Sequence, residues 1–259
     1  MLSRAGVIRR RYPYQSNPDV RRMANDNRIA YADVHLSQLP AMMRKGVFGS
    51  IDIGILEVAA VGPKGELYPT TSLSISPAIV QCAERLILEV NLAQSPHLVG
   101  IHDVYDRGRL WGQPIPIVSP EQRVGTTWLD CNTDKIAAIV FTNVPDPGAR
   151  LMSTKPEHQQ MAEHLLKFLK KEIALGRIPN PLPPMQSGVG GVANAVLGGL
   201  LHSDLEGLTF YSEVIQDAVL DLIDCGKMTC ASATGVSFTA EARQRFQQRA
   251  AHYAEHIIL

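Results

Sequence analysis

The chain has 259 residues, 45% of them hydrophobic and 19% charged, with 25 Lys and Arg balanced by 25 Asp and Glu. That is the composition of a globular protein of one or two domains, long enough to bury a sizeable core. The charge balance gives no argument for a nucleic-acid or membrane-surface partner, and no apolar run approaches the ~20 residues that a transmembrane helix needs.

The first residues, "MLSRAGVIRRRYPYQSNP", are Arg-rich and free of acid until Asp19, a pattern shared with transit peptides; their apolar part is too short for a secretory signal. "IDIGILEVAAV" (51–61) is a continuous β-branched run, as expected of a strand buried on both faces, and it ends at the turn "GPKG" (62–65). A helix is expected over 76–84, with Ser76 as N-cap and Pro77 at its first position, followed by a buried strand over 85–91. Residues 100–126, rich in Gly, Pro and charge, read as a long loop, and "KIAAIVFTNV" (135–144) as a third strand. Strands separated by helices predict an α/β layer fold with a mainly parallel sheet.

The clearest helix signal covers 154–176. Thr154 and Glu157 form the pattern of a capping box; Met161, Leu165, Phe168, Leu169 and Ile173 make one apolar stripe; Gly176 is a natural stop. Four prolines follow within 177–187, so the expected division is an N-terminal lobe of residues 1–150 and the first part of a second lobe over 151–259. Beyond it come a small-residue helix over 186–201, a strand over 208–213, a helix over 214–226, a strand or loop over 229–238, and a helix over 239–258 capped by Thr239.

Two features carry candidate chemistry. "GVGGVA" (188–193) fits the G-x-G-x-x-A fingerprint before a helix, where backbone amides and the helix N-terminus attract an anion. Glu213 lies about 20 residues on, where a dinucleotide fold places its ribose-binding acid, so an NAD-dependent dehydrogenase using GVGGVA is a competing reading. Against it stands "IPNPLPPMQS", which prolines exclude as a central strand. Glu213 itself stands where the predicted strand hands over to a helix, and there a carboxylate is either a helix-capping acid or a reactive group. His35 with Asp33 and Ser37 reads as a polar turn, and His102 with Asp103 falls in the long loop. His252 and His256 lack the H-E-x-x-H pattern, and Cys82, Cys131, Cys225 and Cys230 lack C-x2-C spacing, so no metal site is expected. Without a secretory signal, the cysteines point to a reducing, cytoplasmic location.

Taken together, "LPPMQSGVGGVANAVLGGL", "FYSEVIQDAVLDLIDCGK" and "ASATGVSFT" resemble the acetyl-CoA hydrolase/transferase family, the class I acyl-CoA:carboxylate CoA-transferases. "ADVHLSQLP", "IDIGILEVAAV", "LILEVN", "QRVGTTW" and "DKIAAIVFTNVPDPG" match the family's N-terminal lobe in the same order. "VIRRRYPYQSNPDVRRMAN" also looks like an interior family segment, which argues against a transit peptide. "TNVPDPG", with Pro145 and Pro147, looks more like the propionyl-CoA:succinate transferases than the acetate-using members.

The resemblance implies the α/β CoA-transferase fold: two similar lobes, mainly parallel sheets flanked by helices, and an active site between them. It implies that Glu213 is the nucleophile, that the Val189 amide belongs to an oxyanion hole, and that Gln186, Ser187, Gly188 and Gly190 contact CoA or substrate. Gly191 stands where the family usually has Asn. Coenzyme A would be a substrate, with no separate cofactor, and the partners would be acyl-CoA and small carboxylic acids. Family chains begin earlier and run further, so the chain is expected to be a central fragment. A homodimer or a complementing chain would then complete its site; alone it would be a poor catalyst, or a non-catalytic CoA-binding fragment.

Overall fold

The computed structural model describes all residues except 1–5, 13–16, 107–112, 147 and 150–153. Two short strands, β1 (Arg10–Arg11) and β2 (Ala30–Tyr31), pair in parallel on either side of α1 (Pro18–Asn25), and α2 (Leu39–Arg44) follows. β3 (Ile51–Val61), β4 (Glu66–Pro69), α3 (Ser76–Cys82), β5 (Ala83–Asn91), β6 (Leu129–Asp130) and β7 (Ile136–Thr142) build the larger sheet. The long helix α4 (Pro156–Ala174) leads to α5 (Gly191–Leu201), β8 (Leu208–Ile215), α6 (Asp217–Asp224), β9 (Met228–Val236), α7 (Ala240–Gln248), α8 (Ala250–Ala254) and β10 (Ile257–Ile258).

The larger sheet has the order β6-β4-β3-β5-β7, with β3, β5 and β7 parallel and β4 returning antiparallel through the Gly62–Gly65 turn. Leu56, Val58, Leu86 and Leu88 of β3 and β5 are buried with Val80 and Ala83 in one core cluster. The smaller sheet, β10-β9-β8, is wholly parallel, and its helical crossovers are what parallel pairing demands. Its core holds Phe210, Ile215, Phe246 and Tyr253, each with no exposed surface, and the Phe246 and Tyr253 rings stack at 5.6 Å between centroids. Leu98 and Ile101, from the first 150 residues, are buried in this second core. A short antiparallel seam also joins the two parts: Leu73 N–H donates to Thr234 O and Val236 N–H to Thr71 O.

Several expectations shift. The helix expected from Ser76 begins there but is preceded by Ile75 as N-cap, so Pro77 is its second residue. At α4 the Thr154–Glu157 box does not form. Pro156 fixes the first turn and forces the preceding Lys155 into extended backbone, so Lys155 is the N-cap and its N–H donates to His158 Nδ1 at 3.2 Å. The stripe on α4 divides: Leu169 and Ile173 face the core with Leu166, whereas Met161, Leu165 and Phe168 are exposed. Gly199 of α5 faces Leu166: a Cβ there would lie 2.6 Å from Leu166 Cδ1, so a larger residue would require that side chain to shift.

The helix expected over 239–258 breaks at Arg249 and ends two residues before β10. Ile257 and Ile258 gain more as a buried third strand on β9 than as a helix end. Thr239 does cap α7, its Oγ1 accepting from Ala242 N–H at 3.2 Å. The strand carrying Glu213 runs on to Ile215, and the next helix starts only at Asp217.

Candidate functional site

The prolines before Gly188 act as expected. They leave room for only one bridge: Met185 N–H donates to Thr209 O, and Tyr211 N–H donates back to Met185 O. Residues 186–190 then turn beside the end of β8, and Gly190 opens α5 as its N-cap. Gly190 has φ +149°, a conformation that side chains disfavour, so glycine is required there. A bridge without a strand meets the dinucleotide-fold requirement only halfway.

Glu213 lies near the carboxyl end of β8, where ligands of parallel sheets bind. It is exposed, and its backbone carbonyl accepts from Thr234 Oγ1 at 2.7 Å. Among the described residues no hydrogen bond or ion pair holds its carboxylate. The helix-capping role therefore falls away: Gln216 is the N-cap of α6, and Asp217 is the acid of its first turn.

The turn and the Glu213 strand are tied together directly. Ser212 Oγ donates to Ser187 O at 3.0 Å, and Gln216 Nε2 donates to Gly188 O at 2.9 Å. Ser187 Oγ also lies 3.2 Å from Gly188 O, while Val189 is 62% exposed. Of the six residues that the resemblance singles out, Ser187, Gly188 and Glu213 are thus drawn together through Ser212 and Gln216. Gln186 makes no described side-chain hydrogen bond.

Behind the turn lies a cavity of about 260 Å³, lined by Val189, Gly190, Asn194, Asp217, Asp221 and Thr239 among others. Asp217 accepts from Thr239 N–H and Oγ1 at 3.0 and 2.6 Å, and Asp221 pairs with Arg245 at 2.7 Å. Glu213 does not line this cavity, and two carboxylates make it a poor receptacle for phosphates. On the other side of α7, Gln94, Asp146, Arg243 and Gln247 line a second cavity of about 330 Å³.

The other candidates separate from this site. His102 is completely buried with neither ring nitrogen hydrogen-bonded, and desolvation, then the nearby Arg123, lowers its pKa to about 4. Asp103 is structural: its carboxylate accepts from Val124 and Gly125 N–H, fastening the long loop. His35 precedes a 3-10 turn without capping it. His252 and His256 stack edge-on at 5.2 Å, and among the described residues no group of three His, Cys, Asp or Glu is placed to hold a metal. All four cysteines are free; burial pushes the Cys230 thiol up to about 11, away from thiolate chemistry. Pro147 of "TNVPDPG" lies outside the described residues.

Sequence reasoning missed Ser212 and Gln216. Both sit in the "SEVIQ" block, but a serine and a glutamine there carry no signal until the turn is seen against them.

Comparison with known proteins follows the same lines. Residues 1–109 match the family model described as acetyl-CoA hydrolase/transferase N-terminal domain. The succinyl-CoA:acetate CoA-transferase of Clostridium kluyveri is 41% identical over 258 residues, 99% of this chain and 48% of that protein. The propanoyl-CoA:succinate CoA transferase of Escherichia coli is 32% identical over 265 residues, 100% of this chain and 53% of that protein. An acetyl-CoA hydrolase of Schizosaccharomyces pombe is 33% identical over 260 residues, 98% and 50% of the two chains. The expected lean toward propionyl-CoA:succinate transferases is not what these identities favour. The chain spans about half the length of these relatives. Among solved structures, the 4-hydroxybutyrate CoA-transferase of Porphyromonas gingivalis superimposes with TM-score 0.63 at 14% identity, covering 100% of this chain and 58% of that one. RipA from Yersinia pestis gives TM-score 0.62 at 20% identity, covering 95% and 51%. At these identities the structures establish the fold: parallel-rich sheets flanked by helices, as in CoA-transferases.

Proposed function

From a chain related to the acetyl-CoA hydrolase/transferase family, we propose a part of an enzyme that transfers CoA from an acyl-CoA to a carboxylic acid, with Glu213 as nucleophile. One observation carries the assignment: Glu213 is an exposed carboxylate with no partner among the described residues, at the end of a parallel strand, and the residues around it grip a glycine turn. An acid with a structural task would be paired; this one is left free to react.

The chemistry follows from the carboxylate. Glu213 attacks the thioester carbonyl of an acyl-CoA, and the CoA thiolate leaves, giving a mixed anhydride. The thiolate then attacks the glutamyl carbonyl, giving a glutamyl-CoA thioester and the free acid. A second acid reverses both steps and departs as its CoA ester; water in its place gives net hydrolysis. Each tetrahedral intermediate needs donors aimed at its oxyanion, and in this reading the Val189 amide is one. Gln186, Ser187, Gly188 and Gly190 would face CoA or substrate on the same turn.

The same reading takes residues 1–150 and 151–259 as parts of two lobes and puts the protein in the cytoplasm, in keeping with four free cysteines. It takes acetyl-, propionyl- or succinyl-CoA and small carboxylic acids as substrates, and a second copy or a complementing chain as the partner that completes the site. No described helix is long and apolar enough to cross a membrane.

The test is intact-mass spectrometry after incubation with acetyl-CoA or propionyl-CoA, with Glu213→Ala in parallel. The expected product is the wild-type chain heavier by one CoA less one water, absent from the variant. An adduct that persists in Glu213→Ala would place the nucleophile elsewhere.

A further inference from the structure

We propose that Gln216 and Ser212 are positioning residues that aim the Val189 amide, so that nucleophile and oxyanion donor are set by one five-residue stretch of chain, Ser212–Gln216. Its functional half rests on the reading of Glu213 above; its structural half does not.

The argument starts from the planarity of the peptide bond. The Gly188 carbonyl and the Val189 N–H belong to one trans peptide and so point in opposite directions. Gln216 Nε2 holds that carbonyl at 2.9 Å, and therefore fixes where the Val189 N–H points: away from Gln216. Ser212 Oγ holds the preceding carbonyl, Ser187 O, at 3.0 Å, so two consecutive peptides are clamped rather than one. Side chains alternate along a strand, so Ser212 and Gln216, four apart in extended backbone, share one side of β8 and Glu213 takes the other. Clamping two successive carbonyls against the strand that carries Glu213 fixes the heading of the Val189 N–H relative to that strand.

The local chemistry fits a device rather than an accident. Gln216 is the N-cap of α6, a position favouring Ser, Thr, Asp or Asn, yet its side chain makes no capping bond and reaches the turn instead. It is buried, so an unmade bond would leave a desolvated amide. The clamp is also needed: Gly188 has open space around its Cα and Gly190 a glycine-only φ, so neither a side-chain wedge nor backbone restriction holds the turn.

The experiment compares the whole chain with Gln216→Leu, Ser212→Ala and Ser212→Thr, each checked for native circular dichroism. Adduct formation rate, acyl-CoA Kd by calorimetry, and hydrogen exchange of residues 185–192 are measured. Gln216→Leu is expected to slow adduct formation about 10- to 100-fold, with Kd within about twofold, because the lost contact acts on the transition state. Exchange in the turn is expected to rise about tenfold, the scale of one lost hydrogen bond. Ser212→Ala shifts both readouts in the same direction and carries the test if Gln216→Leu does not fold; Ser212→Thr, which keeps the hydroxyl, restores them. Adduct on the wild type with an unchanged rate in the variants overturns the inference and leaves the Glu213 reading standing. No adduct on the wild type defeats that reading for the chain alone, and the exchange data then decide: an unchanged turn in a folded variant overturns the clamp, a loosened turn upholds it.

Discussion

The two main sheets are built from similar apolar strands but finished differently. In β10-β9-β8, Leu208, Phe210 and Ile215 have no exposed surface, and of the large apolar side chains on its strands only Tyr211 is exposed, at 47%. In β6-β4-β3-β5-β7, one face is packed and the other is bare: Ile55 is 65% exposed on β3, and Val140, opposite Glu89 on the edge strand β7, is 46% exposed. The register places Ile55 opposite Ile87, and both lie on the bare side with Glu57 and Glu89. Exposed apolar side chains clustered on a sheet face mark either an interaction surface or an aggregation liability. The smaller, largely enclosed sheet is the one that holds Glu213 and its turn; the larger keeps one face bare.

That contrast can be broken by stability measurements. Phe210→Ala, in the enclosed core, is expected to cost about 3–5 kcal/mol in urea denaturation, the usual cost of a large core cavity. A loss near zero would mean that the smaller sheet is loosely packed. His102 gives the next largest effect. Its folded pKa, about 4, lies below its ordinary value of 6.5 because it is buried, so only the unfolded chain takes up its proton between those values. The stability it permits is complete above pH 6.5 and is lost as pH falls toward 4, by about 3 kcal/mol in all. The pH dependence of the urea midpoint should flatten over that window in His102→Leu.

Gly190→Ala forces a side chain into φ +149° and is expected to cost about 1–3 kcal/mol, visible as a lowered Tm. Ile55→Ser, on the bare face, should change stability by less than about 0.5 kcal/mol while raising solubility, read by light scattering. A large destabilisation there would show the face to be packed in solution. Smallest of all, Glu213→Gln should leave Tm unchanged within error, since no described partner is lost; a marked drop would make Glu213 structural.

Much of this fold was legible from residue patterns. The runs 51–61, 85–91 and 136–142 are strands because β-branched apolar residues without helical period suit a pleated surface, and the glycine turn before α5 announces itself by composition; the expected burial of 51–61 on both faces does not hold, since Ile53 and Ile55 are exposed. The misplaced details share a cause. The end of the chain looked helical from Thr239 onward, yet Ile257 and Ile258 are a strand because β9 offers them an edge. The stripe on α4 could not reveal which residues face inward, because that depends on where the second core, built from distant segments, packs against it.

The sequence by itself determined the strands and helices, the requirement for glycine at the turn, and the candidate carboxylate, because these follow from local propensity and from blocks of residues contiguous in the chain. Only the tertiary structure decided that Glu213 is exposed with no partner among the described residues, that Ser212 and Gln216 hold carbonyls about 25 and 28 residues away, and that one sheet is largely enclosed while the other keeps a bare face. Each of these is a relation between distant segments, and side-chain hydrogen bonds and burial are fixed only when the segments meet.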